Sequence, residues 1–129
     1  MRVLLDTHVF LWWASDRGRR LSPGARAVIE DPETDVFVSA ATGMEVATKV
    51  ARGRLELPGP PETYVPSRLS RHGFRALPIE MEHALRVGLL PDTHRDPWDR
   101  LLIAQAQTES MPIVTADPVI GQYDVDVIW

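Results

Sequence analysis

The chain contains no cysteine, only one lysine and no long apolar run. Without cysteine it forms no disulfide framework and has no thiolate chemistry, and a cytoplasmic location is the simplest expectation. No apolar run approaches the roughly 20 residues that span a membrane. The N-terminal run, residues 3–13, is interrupted by Asp6, Thr7 and His8 and lacks a small-residue cleavage site, so it is not predicted to be a signal peptide. The net charge of -4 argues against non-specific coating of nucleic acid, although local arginine patches are compatible with it.

What is present is typical of one globular domain. The chain has 129 residues, of which 44% are hydrophobic and 25% charged. This length is sufficient to bury a substantial core. We therefore expect residues 1–129 to form a single domain.

Short apolar runs alternate with segments of helical character. Strands are predicted at residues 2–5, 36–39, 74–79, 112–115 and 125–129, and helices from about residues 9, 22, 40, 63, 80 and 96 onward. Residues 57–66 hold much of the proline and are predicted to be irregular, leading into the helix at 63–71. Such alternation predicts an α/β fold whose mostly parallel sheet is covered on both faces.

Four acids occupy comparable places in this pattern. Asp6 ends the first strand, Glu45 lies early in the helix after the second, and Asp117 follows the fourth. Asp99 lies in the first turn of the helix before that fourth strand. Sites in parallel sheets form at the carboxyl ends of the strands. Three interpretations of these acids stay open: they bind a hard divalent cation, they pair with arginine, or they do not lie close together.

The helix that carries Asp99 has a strong start signal. Asp96 is suited to be its N-cap, and Pro97 suits the first helical position, where its missing donor costs nothing. This local chemistry explains both residues without any catalytic role.

Four segments together resemble the motifs of PIN-domain proteins, in the right order. They are LLDTH at residues 4–8, SAATGMEVATK at 39–49, DPWDRLLIAQA at 96–106 and TAD at 115–117. Within that family the chain is similar to VapC toxins of bacterial VapBC type II toxin–antitoxin systems. Met44 stands where tryptophan is common and Trp98 where phenylalanine is common, and both changes keep an apolar side chain.

The resemblance implies a single PIN domain over residues 1–129, a three-layer α/β/α sandwich with about five strands. It implies an endoribonuclease that depends on Mg²⁺ or Mn²⁺ and cleaves RNA phosphodiester bonds with a metal-activated water. The implied catalytic acids are Asp6, Glu45, Asp99 and Asp117. Of these, Asp6 and Asp99 are the expected metal ligands, with Glu45 and Asp117 as further candidates. Asp96 competes with Asp99 for the third position, and we choose Asp99.

Other side chains are expected to support this site. Thr7 and Thr115 are candidates to orient a carboxylate or a water, while Arg100, like Asp96, is a candidate for RNA contact. Arg100 is equally suited to pair with a neighbouring acid. His94 is interpreted as a loop residue that frames the next helix.

The expected partners also follow from the resemblance. They are an RNA substrate, a VapB-like antitoxin whose C-terminal segment blocks the active site, and a second copy in a homodimer, with no membrane association. Trp12, Trp13 and residues 57–66 are candidate contact surfaces. Two other functions fit the same acids, namely a catalytically inactive interaction module and a metal-dependent nuclease acting on DNA.

Overall fold

A five-stranded parallel sheet forms the centre of the molecule. The computed structural model describes residues 1–129. The strands are β1 (Arg2–Leu5), β2 (Asp35–Ser39), β3 (Arg75–Leu77), β4 (Ile113–Val114) and β5 (Val127–Ile128). They are arranged in the order β3-β2-β1-β4-β5, and every neighbouring pair is parallel. The predicted parallel α/β sheet of about five strands is confirmed.

Six helices connect these strands. They are α1 (Thr7–Asp16), α2 (Pro23–Glu30), α3 (Ala40–Ala51), α4 (Pro61–His72), α5 (Met81–Arg86) and α6 (Pro97–Glu109). Single 3₁₀ turns follow at Val87–Leu89 and Ile120–Gln122. None of the helices combines the length and the apolar character that crossing a membrane requires.

The sheet separates two apolar cores, because alternate side chains of a strand point to opposite faces. In β1, Leu4 packs into a cluster that contains Ala41 of α3 and Ile103 of α6. Its neighbours Val3 and Leu5 pack into the other cluster, which is covered by α1, α2 and α4. The three-layer α/β/α arrangement follows from this alternation.

Proline accounts for two of the differences from the predicted boundaries. The helix α4 begins at Pro61, inside the segment expected to be irregular, and it includes Pro66. Pro61 lies in the first turn, where a missing N–H costs nothing. The third strand ends at Leu77, shorter than predicted, because Pro78 has no N–H to continue the ladder.

The strand order creates a topological switch beside β1. The chain moves from β1 through β2 to β3 on one side, then returns through α6 to β4 on the other. Connections leaving β1 and β4 therefore diverge, and a crevice forms outside their carboxyl ends. The candidate site lies at this crevice.

Candidate metal and catalytic site

Asp6 lies where β1 meets α1. It occupies the N-cap position of α1, but its side chain makes no capping hydrogen bond. Instead, the hydroxyl of Thr115 donates to Oδ2 of Asp6 at 2.7 Å. The same hydroxyl accepts the backbone N–H of Asp117 at 3.0 Å. Thr115 thus links the acid that follows β1 to the loop that follows β4.

Glu45 is held from two sides within α3. The residue is only 3% exposed. Its Oε1 accepts a hydrogen bond from Thr7 at 2.8 Å, and its Oε2 lies 2.5 Å from Nζ of Lys49, one turn later in the helix. Thr7 also contacts the hydroxyl of Thr42 at 3.0 Å. Glu45 therefore already has a counter-charge within the chain.

Asp96 and Asp99 have different roles at the start of α6. Oδ1 of Asp96 accepts the backbone N–H groups of Trp98 at 2.8 Å and Asp99 at 3.2 Å, as an N-cap does. Asp99 points instead into a cleft that also contains Asp6 and Asp117. The geometry therefore favours Asp99 over Asp96 as the site acid.

Asp117 is anchored by its own loop and contacts a histidine. Its Oδ1 accepts the backbone N–H of Val119 at 2.9 Å, and its Oδ2 lies 3.1 Å from Nε2 of His94. The same nitrogen lies 2.9 Å from Oδ2 of Asp99. Sequence reasoning did not include His94 in the site. Its position two residues before the Asp96 cap was the one local signal that it lies near Asp99.

Arg100 contacts neither an acid nor the cleft in this structure. Its guanidinium donates to the backbone carbonyls of Pro91 at 2.8 Å and Val87 at 3.1 Å, and more weakly to those of Leu90 and His94. Of the two roles considered for Arg100, pairing with a neighbouring acid does not occur in this structure, and RNA contact stays a prediction. With its donors used in this way, Arg100 organises the loop before α6.

The cleft has a volume of about 340 Å³. Its lining comprises Asp6, His8, Val9, Trp12, Asp99, Ala116 and Asp117. The salt bridges to the four acids come from Lys49 on Glu45 and from His94 on Asp99 and Asp117. No arginine forms a salt bridge with any of them, so pairing with arginine of the same chain does not explain the cluster.

Burial and mutual repulsion disturb two of these carboxyl groups. Burial is the main cause that raises the pKa of Asp6, opposed by the hydrogen bond from Thr115 and the charge of His8. Burial, then the charges of Asp6 and Asp96, raises the pKa of Asp99 to about 7, against the effect of His94. A cation placed between these groups would offset both effects.

The donor set fits a hard divalent cation. Asp6 and Asp99 present carboxylate oxygens in one cleft, and oxygen ligands suit Mg²⁺ and Mn²⁺. Ligand atoms of His94, Asp99 and Asp117 also lie within 4.8 Å of one another, a spacing that one ion could bridge. Burial is the first cause of the raised pKa of both Asp6 and Asp99, so their ionised forms need a positive charge close by.

Comparison with known proteins assigns the chain to a protein family. The PIN domain family model matches residues 3–126, and the chain belongs to this family. It is similar to Ribonuclease VapC22 of Mycobacterium tuberculosis, with 33% identity over 116 residues that cover 89% of this chain and 86% of the relative. It is also similar to Ribonuclease VapC16 of the same organism, with 36% identity over 58 residues that cover 45% of this chain and 41% of the relative.

Solved structures show the same fold. A VapBC2 complex from Rickettsia felis, bound to a promoter DNA fragment, matches 98% of this chain and 97% of its own with a TM-score of 0.74 at 12% identity. A DNA-bound VapBC from Salmonella typhimurium matches 98% and 96% of the two chains with a TM-score of 0.70 at 14% identity. At these identities the likeness supports the fold alone.

Proposed function

We propose that the chain is a metal-dependent endoribonuclease and the toxin component of a type II toxin–antitoxin system. The observation that carries the proposal is the convergence of Asp6, Asp99 and Asp117 in one cleft, with no arginine to neutralise them. The family and the relatives named ribonucleases support RNA as the substrate. We also propose that residues 1–129 form one PIN domain that acts on RNA in the cytoplasm.

In this proposal Asp6 and Asp99 hold Mg²⁺ or Mn²⁺, with Glu45 and Asp117 completing the acidic site. When bound, such an ion lowers the pKa of water and offsets the charge of a phosphodiester. The carboxylate of Asp6, which accepts the Thr115 hydroxyl on one oxygen, orients the attacking water and accepts its proton.

The two threonines are positioning residues in this scheme. The Thr115 hydroxyl donates to Oδ2 of Asp6 and so restricts the orientation of this carboxylate, which lines the cleft. Thr7 fixes one oxygen of Glu45 while Lys49 holds the other. Each acid thus keeps one orientation before substrate arrives, and this lowers the reorganisation required during reaction.

Cleavage of single-stranded RNA should require both a divalent cation and Asp6. Asp6→Asn keeps the size of the side chain and removes its charge, so we expect loss of cleavage of at least about 100-fold with the fold retained. The measurement is RNA cleavage in Mg²⁺ or Mn²⁺, with EDTA as the metal-free arm. Asp126→Asn is the matched control, because Asp126 is exposed and outside the cleft.

The alternatives make different predictions in the same assay. A catalytically inactive interaction module would cleave neither RNA nor DNA under any metal condition. A DNA-directed nuclease would cleave a DNA strand of the same sequence faster than the RNA. Equal Mn²⁺ binding by the wild type and the Asp6→Asn variant in calorimetry would contradict the assignment of Asp6.

A further inference from the structure

The imidazole of His94 lies between Asp99 and Asp117, the acids of the third and fourth motifs. Its Nε2 lies 2.9 Å from Oδ2 of Asp99 and 3.1 Å from Oδ2 of Asp117. Its other nitrogen, Nδ1, accepts the backbone N–H of Asp96 at 3.2 Å. Both ring nitrogens are thus engaged, and the ring side chain is only 16% exposed.

These contacts select one tautomer. A neutral imidazole carries a single N–H, and the hydrogen bond made by one nitrogen determines which nitrogen bears it. Because Nδ1 accepts the N–H of Asp96, the hydrogen of His94 is on Nε2. That nitrogen then donates to carboxylate and has no free lone pair to offer a metal ion.

The loop around His94 is held so that this orientation is maintained. The backbone N–H of His94 donates to the hydroxyl of Tyr123 at 2.6 Å, and its carbonyl accepts from Arg100 at 3.3 Å. Tyr123 and Arg100 both donate to the carbonyl of Pro91, at 3.1 and 2.8 Å. Two other parts of the chain, at Tyr123 and Arg100, therefore hold the backbone that carries the imidazole.

We propose that His94 is a positioning residue whose Nε2–H holds the carboxylates of Asp99 and Asp117 together, ready for a divalent cation that His94 does not itself ligate. The inference rests on the proposed metal site. Groups that orient metal ligands typically change metal affinity by about 10- to 100-fold when removed. The two oriented carboxylates belong to α6, which carries Asp99, and to the loop after β4, which carries Asp117. His94 therefore connects these two parts of the site.

The test is Mn²⁺ binding to the full chain without RNA. We compare the wild type with His94→Gln, whose amide N–H lies near the place of Nε2, and His94→Ala, which has no donor. Calorimetry should show affinity reduced about 10-fold or more in His94→Ala and largely kept in His94→Gln. Thermal unfolding in EDTA checks that both variants fold.

Pulsed electron paramagnetic resonance of bound Mn²⁺ provides a second readout, which detects a directly bound imidazole nitrogen. We expect the wild-type spectrum to lack the coupling of a directly bound imidazole nitrogen from His94. Nitrogen coupling that His94→Ala abolishes would make His94 a ligand and overturn the proposal. Unchanged Mn²⁺ affinity in His94→Ala, or equal losses in both variants, would also overturn it.

These outcomes separate the inference from the proposed function. Wild-type protein that binds Mn²⁺ as expected but leaves RNA intact would contradict the ribonuclease and leave the positioning role standing. Wild-type protein that binds no Mn²⁺ would contradict both.

Discussion

At the scale of single residues, the four candidate acids differ in how their negative charges are compensated. Glu45 has Lys49 as a salt-bridge partner. Asp117 has His94 and a backbone N–H. Asp6 has one threonine hydroxyl, and the pKa values of Asp6 and Asp99 are raised by burial and by nearby carboxylates. Asp99 shares His94 with Asp117, so Asp6 is the one of the four acids that has no salt-bridge partner in the chain.

The raised pKa of Asp99 should make the metal-free protein lose stability as pH rises. The pKa of this carboxyl group moves from its usual 3.8 to about 7 in the folded state. Below pH 4 this carboxyl group is protonated in both the folded and the unfolded state. Between pH 4 and 7 only the folded state keeps the proton, so the contribution of Asp99 to the free energy of unfolding is lost as pH rises through 7. Asp99→Asn should therefore gain free energy of unfolding relative to wild type over this range.

Urea unfolding at a series of pH values in EDTA measures this difference. Asp126→Asn changes an exposed residue, so the difference in free energy of unfolding between this variant and the wild type should not grow with pH in the same way. A wild-type and Asp99→Asn difference that stays constant from pH 4 to 8 would show that Asp99 ionises normally.

At the scale of elements, helix starts deliver the acids to the crevice. The first turn of α6 carries a capping acid and a cleft acid three residues apart, Asp96 and Asp99. Asp6, the N-cap residue of α1, makes no capping hydrogen bond with its side chain, and this residue lines the cleft. The positive ends of these helix dipoles also favour negative charge there.

Substitutions at Asp96 should separate capping from metal binding. Asparagine caps a helix about as well as aspartate, so Asp96→Asn should keep both stability and Mn²⁺ affinity. Asp96→Ala removes the acceptor for two backbone N–H groups and should cost about 1 kcal/mol of unfolding free energy. Thermal unfolding and calorimetry measure the two effects, and a loss of Mn²⁺ binding in Asp96→Asn would instead make Asp96 a ligand.

At the scale of the whole molecule, the most exposed apolar side chains form a stripe along α5 and the 3₁₀ turn that follows it. Met81, Leu85 and Leu89 are 73%, 70% and 81% exposed and recur every four residues. Trp12 and Trp13, the expected contact residues, are half-buried, and Trp12 lines a groove of about 640 Å³ with Leu57 and other residues. Exposed apolar patches mark interaction surfaces, so this stripe is a further candidate for self-association beside Trp12, Trp13 and residues 57–66.

We propose a homodimer through this stripe, and Leu85→Glu should convert it to a monomer. A charge buried in an apolar interface has no partner there, so the association constant should fall by at least 10-fold. Sedimentation at micromolar concentration measures the change. Gln122→Glu introduces the same charge at an exposed position outside the stripe and should leave the dimer intact. A wild-type monomer would contradict the dimer itself.

Antitoxin control should compete with the metal. We propose that an arginine from the C-terminal segment of the antitoxin enters the cleft, where a guanidinium matches carboxylates in a bidentate manner. The groove that shares His8 and Trp12 with the cleft offers apolar surface beside it. The inhibition constant of a peptide from that segment should therefore rise with Mg²⁺ concentration.

Cleavage assays at several Mg²⁺ concentrations test this competition. A peptide with glutamine in place of the arginine serves as the control and should inhibit more weakly, with less dependence on metal. An inhibition constant that does not change with Mg²⁺ would indicate that the antitoxin covers the RNA path instead.

What the sequence determined by itself was the local chemistry and the order of the elements. The order of strands and helices and the cap at Asp96 follow from interactions between residues a few positions apart, which the sequence displays directly. The sequence also narrowed the third site acid to Asp96 or Asp99. The same local information misplaced the start of α4, because proline suits both a loop and a first helical turn.

Only the tertiary structure decided which side chains meet. The Thr115 hydroxyl bonds an acid 109 positions earlier, and His94 reaches Asp117 across 23 residues. The guanidinium of Arg100 donates to backbone carbonyls of the preceding loop, and no residue pattern in the sequence indicates these partners. Hydrogen bonds depend on distances and angles between atoms, and for residues distant in sequence those are set by how strands and helices pack.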